Sequence, residues 1–206
     1  MKVRIPVFFS LFIIASFLMF SCGGTEKKLP FLGPHDIDNS DTTFYTIPDF
    51  SFINQDSIVI TNKDYAGKIY LADFFFTSCR TICPTMNIEM KRVHDVFQHE
   101  DQIRYLSHTI DPETDNVRVL KNYAEGLEAD PQRWNFVTGR KVDLYHMAQK
   151  GYYVSALEDA MAEDGIVHSA AIILVDREGH IRGYYDGTKH EAITSLIGDL
   201  RALLKE

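Results

Sequence analysis

Ile69-Tyr70-Leu71-Ala72-Asp73-Phe74-Phe75-Phe76-Thr77-Ser78-Cys79-Arg80-Thr81-Ile82-Cys83-Pro84 is the stretch from which the rest of the chain can be read. Its first half is apolar apart from Asp73, and a run of that length without alternation predicts a strand, residues 68–76, buried on both faces. Beyond the cysteines the pattern changes period. Met86, Met90, Val93 and Phe97 recur at a spacing of three to four, which predicts a helix over 85–99 opened at the cysteines. A Cys-x-x-Cys pair at such a junction points to thiol–disulfide exchange. The extra residue here places the thiols at i and i+4, on one face of a first helical turn, with Cβ atoms roughly 5–6 Å apart. Two thiolates so placed can close a disulfide or clamp a soft metal ion. The positive end of the helix and the Arg80 cation favour thiolate, and Pro84 fits a first turn, where its missing N–H costs nothing.

The chain has 206 residues and three cysteines. The third, Cys22, stands apart. Lys2 and Arg4 precede an apolar run from Val7 to Phe20, then Ser21-Cys22-Gly23-Gly24. This reads as an export signal over residues 1–21, short for a transmembrane span. The junction resembles a bacterial lipoprotein cleavage box, which makes Cys22 the expected lipidated first residue and places the protein outside the cytoplasm, membrane-anchored in the cell envelope. Loss of residues 1–21 removes two cations and no acid, so the formal charge falls from −8 by two more. Such an acidic chain is a poor nucleic-acid binder and has no basic patch to hold it on anionic lipid. Residues 22–46, with Pro30, Gly33, Pro34 and the acids Asp36, Asp38 and Asp41, read as a tether or loosely packed entry. Residues 47–206 suit one domain.

Within that domain a short hairpin is expected from Ile47–Phe50 and Ser57–Ile60, and a second buried strand over 103–110. A helix over 114–125 should turn Val117, Leu120, Tyr123 and Ala124 inward. A short strand at Trp134–Val137 and a helix over 142–149 follow. Ala170–Val175 and His180–Tyr185 alternate around Asp176-Arg177-Glu178-Gly179 as an antiparallel hairpin, and an amphipathic helix over 193–204 closes the chain. The result is an α/β sandwich with a mixed sheet.

That order matches a thioredoxin-like fold with an extra N-terminal β-hairpin. Four stretches together resemble the Sco (SenC/PrrC) family: Phe74 to Pro84, Thr109-Ile110-Asp111-Pro112-Glu113-Thr114-Asp115, Trp134-Asn135-Phe136-Val137-Thr138-Gly139, and Val167-His168-Ser169-Ala170. The likeness covers roughly residues 47–205. It implies a copper-binding protein that helps build the binuclear copper centre of cytochrome c oxidase. The implied partner is the copper-centre subunit of that oxidase, and a periplasmic thiol reductant is expected as well, because metal binding needs both thiols reduced in an oxidising compartment. It also implies the ligand set. Cys79 and Cys83 supply the soft donors that Cu(I) requires, and His168 stands at the family's third ligand position, imidazole suiting both Cu(I) and Cu(II). Asp111, the Asp-Pro aspartate, is expected beside the site, where it would orient a ligand or meet a partner. The competing role is helix capping by Asp111 or Thr114, with Asp115 in the first helical turn.

Other donors are read as structural. Met86 and Met90 lie on the helix's core face. His94 and His99 are too far along the helix from Cys83, and His35, His108, His146, His180 and His190 read as surface or packing residues. Asp73 occupies a strand position where a carboxylate needs a partner or titrates high. The alternative function is a thiol–disulfide oxidoreductase acting through the same cysteines on the oxidase copper site. Against it, the stretch Gly165-Ile166-Val167-His168-Ser169 carries a histidine and no proline where thioredoxin-like reductases have a cis-proline. A peroxidase of the peroxiredoxin type lacks its motif around Thr77-Ser78-Cys79.

Overall fold

All seven residues of the first buried strand, Ile69–Phe75, are shielded from solvent in a computed structural model that describes residues 28–38, 41–158 and 166–206. Eleven strands are found among the described residues: β1 His35–Asp38, β2 Asp41–Phe44, β3 Ser51–Asn54, β4 Val59–Thr61, β5 Ile69–Phe75, β6 Ile103–Thr109, β7 Trp134–Thr138, β8 Ala156–Glu158, β9 Ile166–His168, β10 Ala171–Val175 and β11 Ile181–Asp186. The α-helices are α1 Cys83–Val96, α2 Val117–Gly126, α3 Lys141–His146 and α4 His190–Leu203. A single π turn, Met147–Gly151, continues α3.

Seven strands form one sheet in the order β11-β10-β5-β6-β7-β3-β4. The central β5, β6 and β7 run parallel, whereas β10, β11, β3 and β4 join antiparallel. The mixed sheet and the hairpin at its edge agree with the thioredoxin-like expectation, with that hairpin at β3–β4, a few residues later than its sequence suggested. The shift follows from side-chain alternation. Phe52 and Asn54 point inward while Ser51 and Ile53 face out, so Pro48-Asp49 serves as the approach to the strand and not as part of it. β5 and β6 are buried because elements cover both faces of the parallel centre, and this is why β5 reads as an apolar run broken only by Asp73.

Helix α1 begins at Cys83, with Ile82 as its N-cap and no capping side chain. The helix therefore starts later than a first turn holding both cysteines would require, and Cys79 lies in the preceding loop, its N–H donating to Phe76 O at 3.2 Å. Helix α1 lies beside α4. Arg92 donates to His190 O at 3.0 Å and to Thr194 Oγ1 at 3.2 Å, and Glu89 meets His190 Nδ1 at 2.9 Å. Helix α2 is capped by Asn116, whose Oδ1 accepts from Arg118 N and Val119 N. Neither Asp111 nor Thr114 caps it, and Asp115 precedes the first turn. Asn is among the best N-caps, and here it outcompetes its acidic neighbour.

Two small hairpins, β1–β2 and β8–β9, were not anticipated. Both are short, and β1 is exposed along its length, so neither offers the apolar alternation that marks a strand. The segment expected as a tether makes definite contacts. Leu29 is buried, and Leu32 pairs with Ile181. Arg182, buried at the start of β11, donates to Leu29 O at 2.7 Å, Pro30 O at 3.2 Å, Asp176 Oδ2 at 3.0 Å and Glu206 Oε2 at 2.8 Å, with its guanidinium over the Phe31 ring. No helix among the described residues is long and apolar enough to cross a membrane. The export signal and Cys22 lie outside the described residues.

Candidate metal centre

The parallel strands β5 and β6 end at the same edge of the sheet, and the antiparallel β10 begins there, Ile173 pairing with Ala72. Three segments therefore converge at that edge: the Thr77–Ile82 loop leading into α1, the Ile110–Asn116 turn leading into α2, and the short strand β9 just before β10. His168 is the last residue of β9, opposite Ala156 of β8. Pairing to β8 gives its backbone a fixed register, and Gly187 N adds support by donating to Ala170 O at 2.7 Å. A Cβ at Gly187 would come within 3.0 Å of Ala170 O and 3.1 Å of Met86 Cγ, so a larger residue would require these neighbours to give by a few tenths of an ångström.

Cys79 Sγ, Cys83 Sγ and an imidazole nitrogen of His168 all lie within 4.8 Å of one another, and all three residues are buried. Cys83 Sγ and His168 Nε2 are 3.3 Å apart. His168 Nδ1 is 3.1 Å from Ser169 O. Donating that proton to the carbonyl leaves Nε2 as the acceptor facing the thiols, the tautomer a metal ligand requires. The Phe76 ring meets the imidazole edge-on at 5.7 Å between centroids and limits its rotation. Both cysteines are free thiols.

The two thiols are not equivalent. Burial opposes ionisation of Cys79, but hydrogen bonds from the Cys83 thiol and the Thr81 hydroxyl, with backbone donors of both residues, outweigh it and lower the Cys79 pKa. Burial pushes the Cys83 thiol well up, and a neighbouring Cys79 thiolate raises it further. In the free protein the first proton therefore leaves Cys79, with Cys83 holding its own as a donor to the resulting thiolate. Two thiolates and one imidazole make a soft set that suits a cuprous ion and leaves a fourth position open.

Asp111 is half-buried in the turn after β6, where its carbonyl accepts from Thr114 N and Asp115 N. The carboxylate tied to the cysteine loop belongs to Asp115, which is wholly buried. It accepts from Thr77 N at 3.1 Å, from Thr109 Oγ1 at 2.5 Å and from Thr77 Oγ1. Sequence reasoning puts Asp115 at this end of the sheet but gives the site role to Asp111, with the first helical turn as the competing reading for Asp115. The signal that could have found it is Asn116, a better cap that leaves Asp115 without that task, together with a threonine beside each of the two strand ends.

Met86 and Met90 are buried core residues, as expected. None of the other histidines joins the group. His94 packs on Trp134 and approaches Arg133 at 3.4 Å, His180 meets Tyr45 O at 2.8 Å, and His35, His99, His146 and His190 are exposed. His108 is enclosed by Phe50, Phe52, Phe74 and Tyr152, and its Nε2 has no hydrogen-bond partner. Asp73 has a partner in Ser107, whose hydroxyl donates at 2.5 Å while accepting from Trp134 Nε1 at 2.9 Å. Burial nevertheless raises its pKa to about 7.

The SCO1/SenC family model matches residues 38–205. Solved structures with the same architecture include a SCO1/SenC family lipoprotein from Bacillus anthracis, 27% identical, with a TM-score of 0.71 over 78% of this chain and 95% of that one. BsSco, a member of the Sco family of cytochrome c oxidase assembly proteins in which a disulfide switch is identified, is 28% identical, with a TM-score of 0.68 over 77% and 93%. ScoI of Bradyrhizobium japonicum, solved with copper bound, is 25% identical, with a TM-score of 0.61 over 74% and 98%. With the family model spanning the whole sheet and the cysteine–histidine cluster, the chain belongs to the SCO1/SenC family.

Proposed function

We propose that this protein is a copper metallochaperone, holding copper through Cys79, Cys83 and His168 and assisting assembly of the copper centre of cytochrome c oxidase. The observation that carries the reading is the convergence of two thiols and one correctly oriented imidazole within 4.8 Å. The copper-bound relative and the oxidase-assembly relative support it. Three ligands at a sheet edge hold an ion without enclosing it, which suits a carrier that must release its cargo to another subunit. Anchoring through a lipid on Cys22 and an extracytoplasmic location belong to the same proposal. They rest on the signal-like N-terminus and are in keeping with the lipoprotein relative. Asp111, on the exposed side of the neighbouring turn, is proposed as a contact for the receiving subunit.

A second reading has its own observation. The lowered pKa of Cys79 beside the raised one of Cys83 is the asymmetry of an attacking and a resolving thiol, so the pair can also reduce a disulfide in the oxidase copper site. The two readings separate on His168→Ala in a strain lacking the wild-type gene. The chaperone reading predicts loss of oxidase copper-centre assembly. The reductase reading predicts that it persists, since electron transfer between thiols does not use the imidazole. Assembly at wild-type level in the mutant would overturn the chaperone reading.

A further inference from the structure

The Cys79 loop leaves β5 after Phe75, is not yet helical, and has an exposed residue, Ser78, directly before Cys79. A side chain from another segment fastens it. Asp115 has no solvent contact, yet its carboxylate receives three donors, and they come from two different strand ends. Thr109 Oγ1 belongs to the last residue of β6, whereas Thr77 N and Thr77 Oγ1 belong to the cysteine loop. A buried carboxylate of this kind is retained only where its hydrogen bonds are complete. Because Thr77 is bonded through its backbone N–H, the constraint acts on the main chain two residues before Cys79.

We propose that Asp115 is the positioning residue of the metal centre: it locks the Thr77–Cys79 main chain against the end of β6 and so holds the Cys79 thiol within reach of Cys83 and His168. This inference rests on the copper-binding reading for its metal consequences, but the geometry also predicts thiol behaviour that needs no metal. Releasing Thr77 frees the loop that carries Cys79, whereas Cys83, fixed as the first residue of α1, stays in place. The effect should therefore be largest at Cys79, with Cys83 affected only through its hydrogen bond to that thiol. Asp115→Asn keeps the shape but replaces one accepting oxygen with a donor, so the Thr77 and Thr109 hydroxyls can no longer both donate to it while Thr77 N–H does.

The test compares wild type, Asp115→Asn, Thr77→Val and Tyr70→Phe in the full chain. Tyr70→Phe deletes a buried hydroxyl pair with Tyr152, 3.2 Å apart, far from the Cys79 loop, and controls for general loss of stability. Two readouts are taken at a temperature where circular dichroism shows each variant folded. One is the rate of alkylation of Cys79 and of Cys83 in the reduced, metal-free protein, located by peptide mass. The other is Cu(I) affinity by chelator competition, with the thiolate-to-copper absorption of the Cu(II) form. Asp115→Asn and Thr77→Val should change the Cys79 rate several-fold, and by more than the Cys83 rate, which follows only through the loss of its hydrogen bond to Cys79. They should also weaken copper by about 10–100-fold, as loss of an outer hydrogen bond to a ligand-bearing segment does elsewhere. Tyr70→Phe should match wild type in both.

If Asp115→Asn does not fold, Thr77→Val decides alone: it keeps the carboxylate, its Thr109 bond and the Thr77 N–H bond but removes the hydroxyl bond that ties the loop to Asp115, so the same change at Cys79 is expected in smaller degree. Folded variants with wild-type Cys79 rates and copper affinity would overturn the proposal, as would Tyr70→Phe behaving like them. Should wild type fail to bind copper while the Cys79 rates still shift, the positioning role stands and the copper reading falls.

Discussion

Replacing Asp73 by asparagine should stabilise the protein, and by an amount that depends on pH. The carboxyl sits inside the sheet on β5 with Ser107 as its hydrogen-bond donor, and burial lifts its pKa from the ordinary 3.8 to about 7. The folded state thus holds its proton more tightly than the unfolded chain does. The stability this lends is full below pH 3.8 and is lost progressively as pH rises to about 7. A difference of about 3 in pKa corresponds to about 4 kcal/mol between the two ends of that window. Asparagine keeps an oxygen to accept from Ser107 and has no charge to bury. The wild-type profile alone will not reveal the effect, because His108 opposes it. Burial lowers its pKa from 6.5 to about 3, so its contribution rises over nearly the same range. The Asp73→Asn minus wild-type difference cancels His108. Urea unfolding with a thiol reductant present, at pH 4 and pH 8, should show the mutant's advantage growing by up to about 4 kcal/mol, or roughly 10 °C in melting temperature. An advantage equal at the two pH values would refute the reasoning, and a mutant less stable at pH 8 would show that the carboxylate is ionised and satisfied in the fold.

Iodoacetamide at pH 7 to 8 should modify Cys79 well before Cys83, because the pKa of one thiol is lowered and that of the other raised; peptide mass mapping at partial reaction reads the order. Asn116→Ala should cost about 1 kcal/mol in chemical denaturation through loss of the α2 cap, whereas Thr114→Ala should cost no more than a surface change. Cys79→Ala and Cys83→Ala should each abolish stable copper binding in a chelator competition, and His168→Ala should keep Cu(I) on two thiolates but lose the Cu(II) spectrum. Metabolic labelling with a fatty acid should mark the wild-type chain and not Cys22→Ser.

The central strand, the cysteine pair and the closing hairpin were legible in the sequence because each has a strong local cause. A strand covered on both faces has to be mostly apolar, and a turn such as Asp176-Arg177-Glu178-Gly179 needs its glycine at positive φ. His168 was reachable only through family likeness, since nothing local separates it from seven other histidines. What escaped was set by distant partners. The start of α1 moved to Cys83 because no side chain caps an earlier turn. Asp115 looked like ordinary helix-end acid until the fold brought Thr77 and Thr109 to it. Strands β8 and β9 exist because they pair, and the pairing is what gives His168 its register.

The Arg182 clamp also decides which way the molecule is pulled. Val175 pairs both with Tyr70, at the beginning of β5, and with Ile181, at the beginning of β11, so Arg182 sits at the edge of the sheet opposite the cysteines. Tension arriving along the chain from the N-terminal side meets Leu29 and Pro30 first and is grounded there, in a guanidinium braced by Asp176 and Glu206. The load then runs into the stiff β11–β10–β5 ladder and ends a full strand length short of the thiols. Under the proposed anchor and carrier role, this arrangement would put Cys79, Cys83 and His168 at the end of the domain farthest from its attachment, facing whatever receives the ion.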